Sequence, residues 1–423
     1  MIFALDERQL ERAREIVVAG PICDECLGRA FAKVGRGLSN ADRGRRIRAE
    51  QSEAGAAGTC WICGGLFDRA EAWAERALRA VTGIEFDTYL FGVRLTPRLE
   101  EMERFFESRF PTDVGESLKH AFNRVVGKAF EARCDHPVTV AFADPDLSFV
   151  VDLPSDAIEW QVASLYLYGR YRKLIRGIPQ TRWPCRRCRG RGCPSCGFTG
   201  KQYPESVEEW IAAPLLGATG ATTAHLHGAG REDIDARMLG DGRPFVLELV
   251  SPRRRTLNLG AVRRTIDERA AGKVEVSELS LVGRGTVALL KELRATKGYR
   301  ARVAFEDPVT QRRLEDALEG LCGEIRQRTP RRVAHRRADR VRRRHLLSAS
   351  GEVTASRRAT VELEGEGGLY IKELISGDDG RTDPSLSARL GTAATVKELD
   401  VLAVTSPGFP DAVGAVDNPE ALP

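Results

Sequence analysis

Two periods of hydrophobicity run through this chain, and the switches between them mark its elements. Residues 6–19 carry Leu10, Ala13, Val17 and Val18 roughly on one helical face, which predicts an amphipathic helix. In ESLKHAFNRVVGKAFEAR, Leu118, Phe122, Val125, Val126, Ala129 and Phe130 recur at helical spacing, with Asp113 available as an N-cap. The period falls to two in VTVAFAD, LSFVVDL and SLYLYGRYRKLI, which read as strands. From Ser206 onward, helical stretches such as GTVALLKELRAT and VTQRRLEDALEGLCGEI alternate with strands such as YRARVAFED and ATVELE. That order is α+β and fits a mixed sheet with a central cleft. Residues 406–423 are rich in Pro, Gly and small residues without a period, so a flexible tail is expected there.

One strand pattern carries more than hydrophobicity. Leu165 and Leu167 alternate with Tyr166 and Tyr168, and Arg170, Tyr171, Arg172 and Lys173 follow. Basic residues interleaved with aromatics suit RNA, where rings stack on bases and cations take phosphates. A half-buried strand whose tyrosines only pack reads equally well.

At 423 residues the chain exceeds one typical core, so two to four domains are expected. With 42% hydrophobic and 30% charged residues it reads as globular. No apolar run approaches the roughly 20 residues of a membrane span, and MIFALDERQLERAREIV is charged too early for a signal peptide. A cytoplasmic location is expected. In that compartment the ten cysteines read as metal ligands before disulfides. Eight fall into four C-x-x-C pairs, leaving Cys134 and Cys322 as expected small core residues.

Cys23 and Cys26 are followed, after 33 residues with an Arg-rich middle, by Cys60 and Cys63. Two such knuckles place four thiolates round one zinc, with the insertion looping out; a redox pair is the competing reading. Cys185, Cys188, Cys193 and Cys196 have the C-x2-C-x4-C-x2-C spacing of a small zinc ribbon, with Gly190, Gly192 and Gly197 for its tight turns. Arg186, Arg187, Arg189, Arg191 and Lys201 surround it, either to meet RNA or as a solvated surface. The net charge of +5 conceals a block from Arg326 to Arg344 with ten arginines and one acid. Such a block must meet something negative or stay solvated, and nucleic-acid phosphate is the obvious candidate.

The candidate chemistry centres on HLHGAGREDIDARMLGDGRPFVLELVSPRRR, from His225 to Arg255. An extended segment ends in Gly228-Ala229-Gly230, whose glycines permit a tight bend, and 245–250 returns as a strand. Glu232, Asp233 and Asp235 then sit on a loop held by two strands, where a loop acid flanked by Arg231 and Arg237 stays ionised and can act as a nucleophile. By itself, an Asp after a glycine turn reads more readily as a turn residue. The whole string resembles the catalytic segment of the archaeal and eukaryotic tRNA pseudouridine-54/55 synthase family, in which the Asp of the G-R-E-D run attacks the target uridine. The resemblance implies that Asp233 is the nucleophile, Asp235 a structural neighbour and Arg231 a substrate-binding residue.

Further stretches carry the same resemblance. Lys297-Gly298-Tyr299-Arg300 is similar to the family's lysine and tyrosine strand, whose tyrosine lies against the target base, although Gly298 is smaller than expected there. GLYIKELISGDDGRTDPSLSARLG resembles its substrate-binding motif, which implies that Tyr370 contacts the uridine, Ile371 packs under it and Lys372 pairs with Asp233. Leu399 would complete the apolar wall, and QRTPRRVAHRRAD matches the family in its first half. The order of elements before residue 180 looks like a THUMP domain. The second cysteine cluster, with the KQYPESVEE that follows, resembles archaeal members. Eukaryotic ones need not carry those cysteines, so catalysis is not expected to depend on them.

The expected architecture is α+β: a four-cysteine zinc module at 1–65, a THUMP-like RNA-binding domain at 66–180, a zinc ribbon at 181–204 and a pseudouridine-synthase-type mixed-sheet catalytic domain at 205–405. The expected activity is cofactor-independent isomerisation of T-arm uridines. A uridine is extruded, Asp233 attacks the ribose or the ring, the glycosidic bond breaks, and the base rejoins through carbon. One or two structural zinc ions, tRNA as partner, no membrane, no nucleotide cofactor and a monomeric state complete the expectation. Two readings compete: a non-catalytic zinc-containing tRNA-binding or RNA chaperone module, and a THUMP-associated enzyme of another chemistry. A methyltransferase or thiolase would need a glycine-rich nucleotide loop after a strand, and GDGRP lacks that context.

Overall fold

The computed structural model describes residues 3–51 and 58–405, so the tail expected at 406–423 lies outside the described residues. The chain divides into two compact units, one running to Ser164 and including Ser251–Arg255, the other holding Leu165–Val250 and the chain from Thr256 onward. No helix among the described residues is long and apolar enough to cross a membrane.

In the first unit a four-stranded sheet runs in the order Thr139–Val140, Thr88–Arg94, Leu147–Asp152, Ala157–Val162. The first two pairings are parallel and the last antiparallel. Alternation along Thr88–Arg94 and Leu147–Asp152 turns Phe91 and Phe149 to one face, where they stack at 4.7 Å and Phe130 packs across both. Helix Leu118–Glu131 supplies that face through Leu118, Phe122, Val126 and Phe130, all fully buried, each worth about 1.5–3 kcal/mol of transfer. Its N-cap is Ser117 rather than Asp113, because Ser117 lies directly before the first turn and accepts from His120 N. Helix Glu7–Val18 buries Ala13, Ile16 and Val17 but leaves Val18 74% exposed, so the sequence reading placed the apolar stripe one position too far round.

The Arg-rich insertion between the first two cysteine pairs is not simply looped out. Helix Asn40–Gln51 crosses helix Asp24–Arg29 backbone against backbone. A Cβ on Gly28 would lie 1.8 Å from Asn40 O, and one on Gly44 would lie 2.1 Å from Asp24 O, so both positions exclude any side chain. Arg29 is buried and pairs with Glu103.

The second unit is built on an eleven-stranded mixed sheet. Its main path runs Thr382–Asp383, Gly323–Arg328, Val341–Ala355, Arg358–Glu366, Thr296–Phe305, Ala394–Thr405, Ala236–Val250, Leu165–Lys173, Val274–Val276. Ala394–Thr405 and Ala236–Val250 pair in parallel, while the other strand pairings are antiparallel. Thr223–Gly228 pairs with Ala236–Val250 off this path. The long strand changes partner on one edge, from 399–401 at its start to 223–228 further on, while 165–173 pairs with it on the other edge. Gly240 makes the change possible: its φ is +55°, and a Cβ there would meet Leu402 O at 1.8 Å.

This sheet corrects the division made from sequence. Leu165–Lys173, expected within a THUMP-like region ending at 180, is a strand of the second unit. Its period-2 alternation points Leu165, Leu167, Tyr171 and Lys173 inward, and Tyr171 and Lys173 are fully buried. Packing therefore accounts for these residues, and neither is a surface for RNA. Cys322, expected in the core, is exposed, and Cys134 is only half-buried.

Candidate active site

The loop 229–235 is held by strands Thr223–Gly228 and Ala236–Val250, the second of which begins nine residues before the Phe245 expected from sequence. Lys173 sits beneath the loop, and its Nζ donates to the carbonyl oxygens of Ile178, Asp233 and Ile234 at 3.0, 3.2 and 3.3 Å. Arg243, equally buried, donates to Ala229 O at 2.6 Å and to Glu232 Oε2 at 2.9 Å. Tyr171 OH donates to Glu232 at 2.9 Å and accepts from Gln180 Nε2, which also reaches Gly230 O. Burial works against charge on Glu232, but the Arg243 guanidinium and Lys173 ammonium outweigh it and hold the carboxyl below the usual carboxylate range. A buried acid satisfied by two cations and a phenol thus fixes the loop from behind.

Asp233, the next residue, is more exposed, with 31% of its side chain accessible, and borders a cavity of about 500 Å³ that Glu232 and Arg243 also line. Its Oδ1 accepts from Arg332 Nη1 at 3.1 Å, and its Oδ2 lies 3.4 Å from Lys372 Nζ. Burial raises the carboxyl's pKa, and these two cations more than reverse the effect, leaving it lowered. Arg332 is itself held by buried Glu373 at 2.6 Å. The cations expected from sequence, Arg231 and Arg237, are engaged elsewhere. Arg237 forms a two-pronged pair with Asp400, and the Arg231 guanidinium lies over the Trp183 ring. Lys372 divides itself between two acids, standing closer to Asp235, at 2.7 Å, than to Asp233.

All seven residues named from sequence, Asp233, Arg231, Tyr299, Tyr370, Ile371, Lys372 and Leu399, line this one cavity. Tyr299 and Leu399 come from neighbouring central strands and are registered close together, Tyr299 opposite Val401 and Ala301 opposite Leu399. Tyr299, Ile371 and Leu399 are buried and give the cavity an apolar side. Burial raises the Tyr299 phenol to about 12, so it stays protonated at neutral pH. Tyr370 is oriented through its peptide: Gln327, 2% exposed, accepts from Tyr370 N and donates to Tyr370 O. Arg337 Nη1 donates to the Tyr370 hydroxyl at 3.2 Å.

Sequence reasoning gave no site role to Arg332, Glu373 or Arg243, quoted Lys297 only within the motif of Tyr299, and read Glu232 as one of three loop acids and Tyr171 and Lys173 as part of a strand suited to RNA. Lys297 lines the cavity two positions before Tyr299, and burial lowers its ammonium to about 8. Arg332 was present only as one of ten in the basic block. That block is partly neutralised within the fold: Arg326 pairs with Asp383, Arg328 with Asp339, Arg331 with Asp379 and Arg343 with Glu324. Arg332, Arg337, Arg342 and Arg344 instead line the cavity, where they provide positive charge for an entering anion.

Each cysteine tetrad converges. The Sγ atoms of Cys23, Cys26, Cys60 and Cys63 lie within 4.8 Å of one another, as do those of Cys185, Cys188, Cys193 and Cys196. Cys23 and Cys63 are 3.7 Å apart, and Cys185 and Cys193 are 4.0 Å apart. Four sulfurs tetrahedral about a zinc at about 2.3 Å would be about 3.8 Å apart, so both groups fit a metal, whereas a disulfide needs about 2 Å. In the second tetrad Cys188 Sγ accepts from Gly192 N and Cys196 Sγ from Gly200 N, bonds that orient the sulfurs inward. Gly192 has φ +91°, and a Cβ there would press on Phe198 O at 2.8 Å.

Comparison with known proteins places this geometry. Residues 166–405 match the family model "Pus10, C-terminal", and residues 73–152 match "Pus10 THUMP domain, archaeal". The chain is 46% identical over 411 residues to a tRNA pseudouridine synthase Pus10 of Halorubrum lacusprofundi, covering 93% of this chain and 96% of that one. It is 43% identical to the protein of the same name from Methanothrix thermoacetophila, covering 95% of both chains. The Pyrococcus furiosus protein of that name is 40% identical, over 93% of this chain and 97% of its own. Among solved structures, a Cbf5–Nop10–Gar1 complex aligns with 56% of this chain and 48% of its own at 18% identity and a TM-score of 0.32, too loose a likeness to bear on the site. The matches to relatives and family models together span most of both units, the loop that carries Asp233 included, and the chain belongs to the Pus10 family.

Proposed function

We propose that the chain converts uridine to pseudouridine in tRNA, with Asp233 as the nucleophile and T-arm uridines 54 and 55 as the targets. The observation that carries this reading is one ionised carboxylate, backed by a buried anchor and faced by Arg332 and Lys372, at the edge of a cavity with an aromatic and apolar side. The cavity is large enough for a single extruded nucleotide, whose unstacking costs a few kcal/mol and is offset by ring contacts and phosphate pairing. Tyr299, Ile371 and Leu399 receive the uracil ring, Tyr370 and Arg231 border the nucleotide, and the arginines at 337, 342 and 344 take its phosphates.

Asp233 attacks the everted nucleoside, the N1–C1′ bond breaks, the base turns within the cavity to join C1′ through C5, and the bond to Asp233 breaks to restore the carboxylate. The C5 hydrogen leaves as a proton and N1 acquires one, so the reaction is a balanced isomerisation without an external reactant. Lys372 and Arg332 keep the carboxylate charged before attack, and enclosure by protein keeps water from the cleaved intermediate. Each cysteine tetrad would hold one zinc, with a structural role in setting the local fold. Elemental analysis is expected to find two zinc ions per chain, and a content near zero would refute it.

Release of tritium from tRNA labelled at uracil C5, in a reaction given no methyl donor, tests the activity, because joining C5 to the ribose displaces that hydrogen. Mapping the product on a T-arm transcript then tests the two positions. Release from other uridines alone would overturn the T-arm assignment and leave the isomerase reading standing.

A further inference from the structure

A second cavity, of about 240 Å³, opens at the same carboxylate. It shares Arg231, Asp233, Arg332 and Lys372 with the larger one, but its separate wall includes Pro179, Thr181 and Trp183. The chemistry at Asp233 makes no use of that wall. Trp183 is half-buried, with the Arg231 guanidinium 5.4 Å from its ring centroid and Tyr203 meeting it edge-on at 5.7 Å. The cysteine ribbon sets its position. Trp183 O accepts from Gln202 N at 2.9 Å, and the next residue, Pro184, bridges to Lys201 across the base of the ribbon.

We propose that this cavity is a second nucleotide subsite, in which the unpaired base adjacent to the target uridine stacks on the Trp183–Arg231 pair while the target fills the larger cavity. The inference rests on the isomerase reading and adds a substrate contact to it. Three features select an RNA base as the occupant. The two cavities meet at Asp233, so whatever fills both presents two groups on either side of one carboxylate, as consecutive nucleotides do once unstacked. Arg332 and Lys372 border both cavities and can take the phosphate that links the pair. An indole with a guanidinium carbon 5.4 Å from its ring centroid is a platform for any base, since every base has a π-face and both groups can stack on one. The ribbon would then affect substrate binding without contributing an atom to the reaction.

A double-mutant cycle between protein and RNA tests the pairing. Wild type, Trp183→Ala and Trp183→Phe are each assayed by tritium release on a T-arm RNA and on two versions of it, abasic at the nucleotide before or after the target. Base–aromatic stacking of about 1–3 kcal/mol corresponds to roughly 5- to 150-fold. Wild type is expected to lose that factor, mainly in KM, on one abasic RNA, and W183A to lose a similar factor on intact RNA. W183A on that abasic RNA should show no further loss, and W183F should stay close to wild type. Losses that multiply on both abasic RNAs, or a W183A protein within twofold of wild type, would overturn the subsite. Zinc content measured on each variant separates a missing ring from a damaged ribbon; if W183A loses metal, W183F and Trp183→Leu carry the cycle instead. Failure of wild type to release tritium from intact RNA would refute the isomerase reading itself, a result distinct from either outcome of the cycle.

Discussion

Glu232 and Asp233 are adjacent, carry the same charge and are both held below the usual carboxylate range by paired cations, yet the regions around them are built for opposite ends. Behind the loop, Glu232 is enclosed with Arg243, Lys173 and Tyr171. In front of it, Asp233 meets Arg332 and Lys372, which belong to later segments of the chain and leave the carboxylate open to a cavity. The difference lies in what each pair of cations excludes. Cations sealed with their acid lock a backbone, whereas cations at a cavity edge keep an acid charged without consuming its reactivity.

The contrast can be broken most sharply at Asp233. Asp233→Asn is expected to lower tritium release by about 10⁴-fold or more while the thermal midpoint moves by no more than a few degrees, because it removes the attacking group and little packing. A variant that isomerised at the parental rate would end the nucleophile assignment. Glu232→Ala should show the reverse balance of causes. Removing one member of a buried charge cluster costs about 3–5 kcal/mol, to be read from denaturant unfolding, and activity should fall only as the loop loosens. The native Glu232 binds its proton less readily than an unfolded glutamate, so its contribution is fully present above the ordinary carboxylate pKa and is lost as pH falls through the lowered native value. E232A should therefore flatten the acid side of the stability profile.

Arg332→Met removes one of the two groups that lower Asp233, so the acid limb of the rate profile should move to higher pH, with a loss of about 10- to 100-fold near neutrality. An unmoved limb would mean that Arg332 does not tune the nucleophile. The smallest effect is expected at Lys297, whose ammonium burial lowers to about 8. It loses its charge as pH rises through that value, and Lys297→Met should remove whatever alkaline limb the parental rate shows there, at a cost of about tenfold at neutral pH. An alkaline limb unchanged in the variant would assign it to another group.

Much of the site was legible because its residues lie in short strings with distinctive chemistry. The glycine turn, the acidic run after it and the four cysteine pairs are local patterns, and each keeps its meaning whatever surrounds it. The anchor behind the loop was present in the pattern and passed over. Lys173 has the same parity as Leu165, Leu167 and Tyr171, so the alternation already placed it inside, but a charge cluster and two arginines beside it drew the reading toward a surface. Arg332 could not be singled out at all. It lies 99 residues from Asp233 in a run of similar arginines, and only its approach to Asp233 and the grip of Glu373 distinguish it from neighbours that pair with exposed acids.

The amino-acid sequence by itself determined where an acid follows a glycine turn, that eight cysteines fall in pairs and which side chains are apolar or aromatic, since those depend on residue type and on spacings of a few positions. Tertiary structure decided which cations face which acids, that a strand read as part of the first half belongs to the sheet of the second unit, and that a tryptophan beside the ribbon lines a cavity with Asp233. Charge pairing and burial act over a few ångströms in space, between segments that the chain order keeps far apart, and only the folded sheet brings them within that range.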